Sequence, residues 1–147
     1  MLVEEVKDIL KPEEGYRRYL YKDSRGYWSI GYGLCIEEGI GEGLTESDAD
    51  YLLGVSVRRR IEALEKLCGF WPRLPTDAQK VLVCMTYQLG LNGTMKFRKF
   101  LEALSVGDWQ LAHDEMLNSA WARQTPERAN RMADMILGLS TQGNGDA

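Results

Sequence analysis

Between Arg17 and Leu34 the sequence departs from everything around it: aromatic residues (Tyr19, Tyr21, Tyr27, Trp28, Tyr32) and glycines (Gly26, Gly31, Gly33) crowd together. Tyr19-Leu20-Tyr21 and Trp28-Ser29-Ile30 read as strands, and Asp23-Ser24-Arg25-Gly26 between them as a tight polar turn. The pattern on both sides is helical. One β-hairpin set into a helical chain predicts an α+β fold, with a small N-terminal lobe carrying the hairpin and a larger all-helical lobe.

Leu2, Val3, Val6, Ile9 and Leu10 recur at helical spacing, which predicts a first helix over about 2–12. Pro12 lies near its end, and a turn follows before Glu14. After the hairpin, Glu37 to Gly43 reads as loop. Thr45 is an N-cap with Asp48 as its capping partner, and Leu52, Leu53, Val57, Ile61, Leu64 and Leu67 carry an apolar face through to Cys68. This reads as one long helix joining the lobes. Gly54 inside it costs about 1 kcal/mol relative to Ala and leaves room for a bend. Thr76 is expected to cap a strongly apolar helix ending at Gly90, the buried centre of the larger lobe. Helices follow at about 97–105 and 108–118. A short one contains Trp121, and a last one runs from Thr125-Pro126 to Gly138. The polar run Thr141 to Ala147 is expected to fray. All 147 residues read as a single domain, with lobes at about 13–45 and 70–140 plus the N-terminal helix. A cleft between the lobes would suit a long polymer.

Charge and composition exclude several classes. The net charge of −4 falls wholly within residues 1–70, which speaks against nucleic acid as a partner. Lys96, Arg98 and Lys99, then Arg123, Arg128 and Arg131, read as solvated helix faces that could also favour an anionic glycan. No apolar run approaches the roughly 20 residues of a membrane span. Acidic residues in Met1–Lys11 argue against a leader or anchor, so the product is expected to accumulate in the cytoplasm. Cys35, Cys68 and Cys84 show no CxxC spacing and read as free thiols, with Cys84 buried inside Val81-Leu82-Val83-Cys84-Met85. His113 is the only histidine and sits in a helical pattern, where it reads as solvated or locally paired. A metal site is therefore not expected, nor a Ser-His or Cys-His nucleophile, nor any cofactor.

What remains is carboxylate chemistry. Glu14 ends the first helical pattern, Asp23 opens the hairpin turn, and Ser29 lies on the return strand. Two carboxylates on a fixed scaffold, with a hydroxyl to orient water, meet the needs of glycosidic bond hydrolysis. Glu14 would be the general acid, its pKa raised by an apolar wall from Tyr16, Tyr21, Tyr27, Trp28 and Ile30. Asp23 would activate water, although an Asp in such a turn also bonds its own backbone. If a water fits between Asp23 and the sugar, it attacks directly and inverts the anomeric centre, which requires carboxyl groups about 6.5–9.5 Å apart.

The same residues resemble the catalytic segment of the T-even bacteriophage lysozyme family (glycoside hydrolase family 24, phage endolysins). The match runs through Glu14-Gly15, Tyr21-Lys22-Asp23-Ser24-Arg25-Gly26 and Ser29-Ile30-Gly31-Tyr32-Gly33. It resumes at Tyr87-Gln88-Leu89-Gly90 and Lys96-Phe97, and again from Ser119 to Arg131. The resemblance implies a lysozyme-like α+β fold. It also implies a monomeric muramidase that cuts the β-1,4 bond between N-acetylmuramic acid and N-acetylglucosamine in peptidoglycan glycan strands. Such a protein would leave the host cytoplasm through a holin-type pore. Tyr87, Gln88 and Arg128 would touch substrate, with Arg128 near the catalytic acid. On their own, Gln88 reads equally as a surface amide and Arg128 as a solvated helix residue, while Trp121 reads as core. Leu34 stands where many relatives carry His, so an ion pair present in some of them is absent. Rival readings are a lytic transglycosylase, which needs one acid and no Asp23–Ser29 pair, and a non-hydrolytic glycan-binding module.

Overall fold

The computed structural model of the chain describes residues 1–142. It divides into two compact units, Met1–Leu53 and the chain from Gly54 onward, with the boundary inside a helix.

In the first unit, helix α1 spans Leu2–Glu14. It runs two residues further than the apolar pattern predicts, straight through Pro12, and makes Glu14 its last residue. Gly15 ends it at φ 70°, a conformation that only glycine adopts without strain, and its N–H closes on the Lys11 carbonyl at 2.9 Å. The hairpin follows as β1 (Arg17–Lys22) and β2 (Trp28–Gly31). A third strand that the sequence did not announce, β3 (Leu34–Cys35), completes an antiparallel sheet in the order β1-β2-β3. Ser29 lies on the central strand, opposite Tyr21 on one side and Cys35 on the other. The loop from Glu37 to Gly43 folds back on β3, with the N–H groups of Ile40 and Gly41 donating to the Glu37 carbonyl.

Helix α2 (Glu46–Leu67) begins at the expected capping box. The Asp48 N–H donates to Thr45 Oγ1 at 3.1 Å, and the Thr45 N–H donates to Asp48 Oδ2 at 3.0 Å. Two orphan donors of the first turn are satisfied reciprocally.

The second unit is helical: α3 (Thr76–Met95), α4 (Arg98–Val106), α5 (Trp109–Leu117), α6 (Ala120–Gln124), α7 (Pro126–Leu137) and α8 (Leu139–Gln142). Its core gathers Leu64, Val81, Leu82, Met85, Phe100, Leu104, Met116, Trp121 and Ile136. Trp121 is buried as expected and meets the Phe97 ring edge-on at 6.5 Å. Thr76 does not cap α3: it is the first helical residue, and Pro75 holds the cap position without a side-chain bond. Gly90, at φ 77°, breaks α3 where the sequence placed its end, but a further helical segment continues to Met95. Cys84 is exposed, not buried. The helical turn carries Val81, Leu82, Met85 and Thr86 inward and leaves Cys84 facing out. Residues 141–142 belong to α8, and the rest of the expected polar tail lies outside the described residues. Among the described residues no helix is long and apolar enough to cross a membrane.

Candidate active site

The first unit contains all three proposed catalytic residues. Glu14 is positioned by the end of α1, and its carboxylate lies against Gly33. Gly33 adopts φ 73°, in the two-residue connection between β2 and β3. The glycine-rich return of the sheet thus makes room for the acid. The apolar wall expected around Glu14 is not built by this unit. Glu14 is exposed, and Tyr16 and Trp28 are themselves exposed.

Asp23 opens the turn between β1 and β2. Its Oδ1 accepts hydrogen bonds from the N–H groups of Arg25 and Tyr27, each at 2.9 Å. Its own N–H donates to the Tyr27 carbonyl at 2.8 Å, and its carbonyl accepts from the Gly26 N–H at 2.9 Å. The turn therefore fixes the carboxyl through one oxygen. Among the described residues no hydrogen bond reaches Oδ2, which leaves that oxygen able to accept from water. Both readings of Asp23, turn former and candidate base, are compatible in one side chain.

Ser29 is 1% exposed, held in the middle of the sheet. Its cross-strand partner Tyr21 lies two residues before Asp23, so the register ties the hydroxyl to the strand that leads into the turn.

The second unit holds Tyr87, Gln88 and Arg128. Arg128 Nη1 donates to Gln88 Oε1 at 2.6 Å, which joins α3 to α7 across 40 residues of sequence. Gln88 and Arg128, together with Thr125, Pro126, Glu127 and Arg131, line an open groove of about 530 Å³. Tyr87 is 55% exposed. His113 is locally paired, its Nδ1 2.9 Å from Asp114 Oδ1. Hydrogen bonds from His113 and then Gln110 hold the Asp114 carboxyl below its ordinary range. Phe100 belongs to the core. Among the described residues no group of three or more His, Cys, Asp or Glu side chains stands together as a metal site would require.

Comparison with known proteins agrees with this architecture. The phage lysozyme family model matches residues 11–137, a span that includes Glu14, Asp23, Ser29, Gln88 and Arg128. A probable T4-type lysozyme of Dictyostelium discoideum is 30% identical, the match covering 92% of this chain and 95% of that protein. The pre-baseplate central spike protein Gp5 of Enterobacteria phage T4 is 26% identical over 88% of this chain and 27% of its own length. An endolysin of Acyrthosiphon pisum secondary endosymbiont phage 1 is 26% identical, over 82% of this chain and 80% of its own. With this match over most of its length, on an α+β scaffold with a three-stranded sheet and a helical second unit, the chain belongs to the phage lysozyme family and is a glycoside hydrolase of the lysozyme type.

Proposed function

We propose that the protein hydrolyses the β-1,4 bond between N-acetylmuramic acid and N-acetylglucosamine in peptidoglycan. The observation that carries this reading is the grouping in one compact unit of a carboxyl at a helix end (Glu14), a turn-anchored carboxyl with one oxygen free (Asp23) and a sheet hydroxyl (Ser29). Glu14 protonates the leaving-group oxygen. Asp23 Oδ2 takes a proton from water while Ser29 orients it. The water attacks the anomeric carbon directly, and no covalent sugar–enzyme bond forms. Gln88 and Arg128 hydrogen-bond the glycan, and Tyr87 offers it an aromatic face. The protein accumulates in the host bacterial cytoplasm and reaches the wall through a holin-type pore, consistent with its likeness to an endolysin.

Mass analysis of fragments released from purified sacculi tests the reaction. Hydrolysis leaves reducing muramic acid. A transglycosylase would leave the anhydro form, and a non-hydrolytic module would release nothing.

A further inference from the structure

Tyr87 is not alone on its surface. The Arg60 guanidinium carbon lies 4.9 Å from the centroid of the Tyr87 ring, within the cation–π range. Arg60 is anchored from behind: Nη1 donates to Ser56 Oγ and to the Ser56 carbonyl, one helical turn earlier on α2. Its charge meets no carboxylate among the described residues. Its Nε is buried and has no hydrogen-bond partner among the described residues, and Arg60 lines a small pocket of about 180 Å³ with Arg59, Thr86 and Leu91. A guanidinium held for stability alone would be expected to satisfy that N–H or pair its charge. Apart from its Ser56 anchor, the contact the guanidinium makes is with the ring.

We propose that Arg60 is a positioning residue, which holds the Tyr87 ring as a platform for a sugar ring of the glycan. The inference rests on the reading of Tyr87 as a glycan contact given above. An exposed aromatic side chain on a helix samples more than one rotamer, and binding must otherwise freeze it. Arg60 covers part of the ring and fixes it beforehand, while the ring remains 55% exposed for a ligand. Ordering the contact surface in advance lowers the entropic cost of association.

A double-mutant cycle on soluble, uncross-linked glycan strands tests this. Tyr87→Ala is expected to raise KM, and Arg60→Leu, which keeps an apolar stem in the helix, to raise KM by about two- to fivefold, the size of an exposed cation–π contact. In both, kcat should stay near the wild-type value. In a Tyr87→Ala background Arg60→Leu should have no further effect on KM. Additive effects, or a loss in kcat instead of KM, would overturn the positioning role while leaving Tyr87 as a contact. A wild-type KM for Tyr87→Ala would instead overturn the contact itself. Should Arg60→Leu fail to fold, Ser56→Ala carries the same cycle. A rise in KM only when Tyr87 is present supports the proposal, and an unchanged KM overturns it.

Discussion

Gly33 and Glu14 are so close that a Cβ on residue 33 would lie 2.6 Å from Glu14 Oε2. The contact makes residue 33 part of the acid's surroundings, although it carries no functional group. Gly33→Ala should therefore act twice. The φ of 73° costs an L-residue about 1–2 kcal/mol. The new methyl group also pushes the carboxylate aside, which is expected to cost about ten- to hundredfold in wall lysis. Glu14→Gln, which keeps the shape, should lose about 10²–10⁴-fold with the melting temperature unchanged. Turbidity clearing of sacculi together with calorimetry separates the two variants. Full activity in Gly33→Ala would show that the Glu14 position is not set by this contact.

Asp23 has a structural and a chemical oxygen, and two substitutions tell them apart. Asp23→Asn keeps an oxygen that can accept from the Arg25 and Tyr27 N–H groups, so the fold should hold while lysis is lost. Asp23→Ala removes both bonds and should also lower stability by about 1 kcal/mol. Ser29→Ala should impair lysis less than either, because its proposed task is orientation only. A larger defect in Ser29→Ala than in Asp23→Ala would reverse the proposed roles.

Direct attack by water predicts that the first product is the α-anomer. Proton NMR of the product before mutarotation reads this out. An initial β-anomer would mean a double displacement and would eliminate the direct water mechanism.

Three reduced thiols should titrate in the denatured, non-reduced protein, one for each of the three free cysteines. In the native protein their order should follow the structure. Cys84 is exposed and reacts first, and Cys35 is intermediate. Cys68 is buried, and burial pushes its thiol pKa up, so it reacts last. Mass mapping of alkylated peptides over time gives the order, and early labelling of Cys68 would contradict it.

Asp114 supplies a small acid-dependent contribution to stability. Because His113 and Gln110 lower its pKa in the folded chain, the unfolded chain holds this proton more tightly. The contribution is present above the ordinary carboxylate pKa of about 4 and is lost as pH falls through the lowered folded value. Asp114→Asn should therefore melt slightly below the wild type at neutral pH, the two curves converging in strong acid. A gap that widens on acidification would contradict this.

Much of the fold was legible because the signals are local. The Thr45–Asp48 capping box, the hairpin around Asp23 and the break at Gly90 each rest on residues within four positions of one another. The misses have local causes as well. Strand β3 is two residues long, too short to show an alternation. Pro75 took the cap position from Thr76. The apolar run around Cys84 hid the fact that a helix turns one side of such a run outward. The Glu14–Gly33, Arg128–Gln88 and Arg60–Tyr87 contacts join residues 19, 40 and 27 positions apart, and no periodicity announces them. The expected wall around Glu14 failed for a different reason: nearness in sequence to five apolar side chains is not burial by them.

The fold-back of the Glu37–Gly43 loop has an evolutionary corollary. At Gly41 a Cβ would overlap the Cys35 carbonyl and lie 2.7 Å from Cys35 Sγ. The loop's other glycines, Gly39 and Gly43, have open space where a Cβ would stand. A lineage diversifying this segment can lengthen it, recharge it or vary its tip. It cannot add a single carbon at position 41 without shifting the backbone of residue 41 away from Cys35. The barrier is geometric, since the nearest atoms are those of the Cys35 backbone. Drift in this surface segment is thus confined to one side of a fixed pivot.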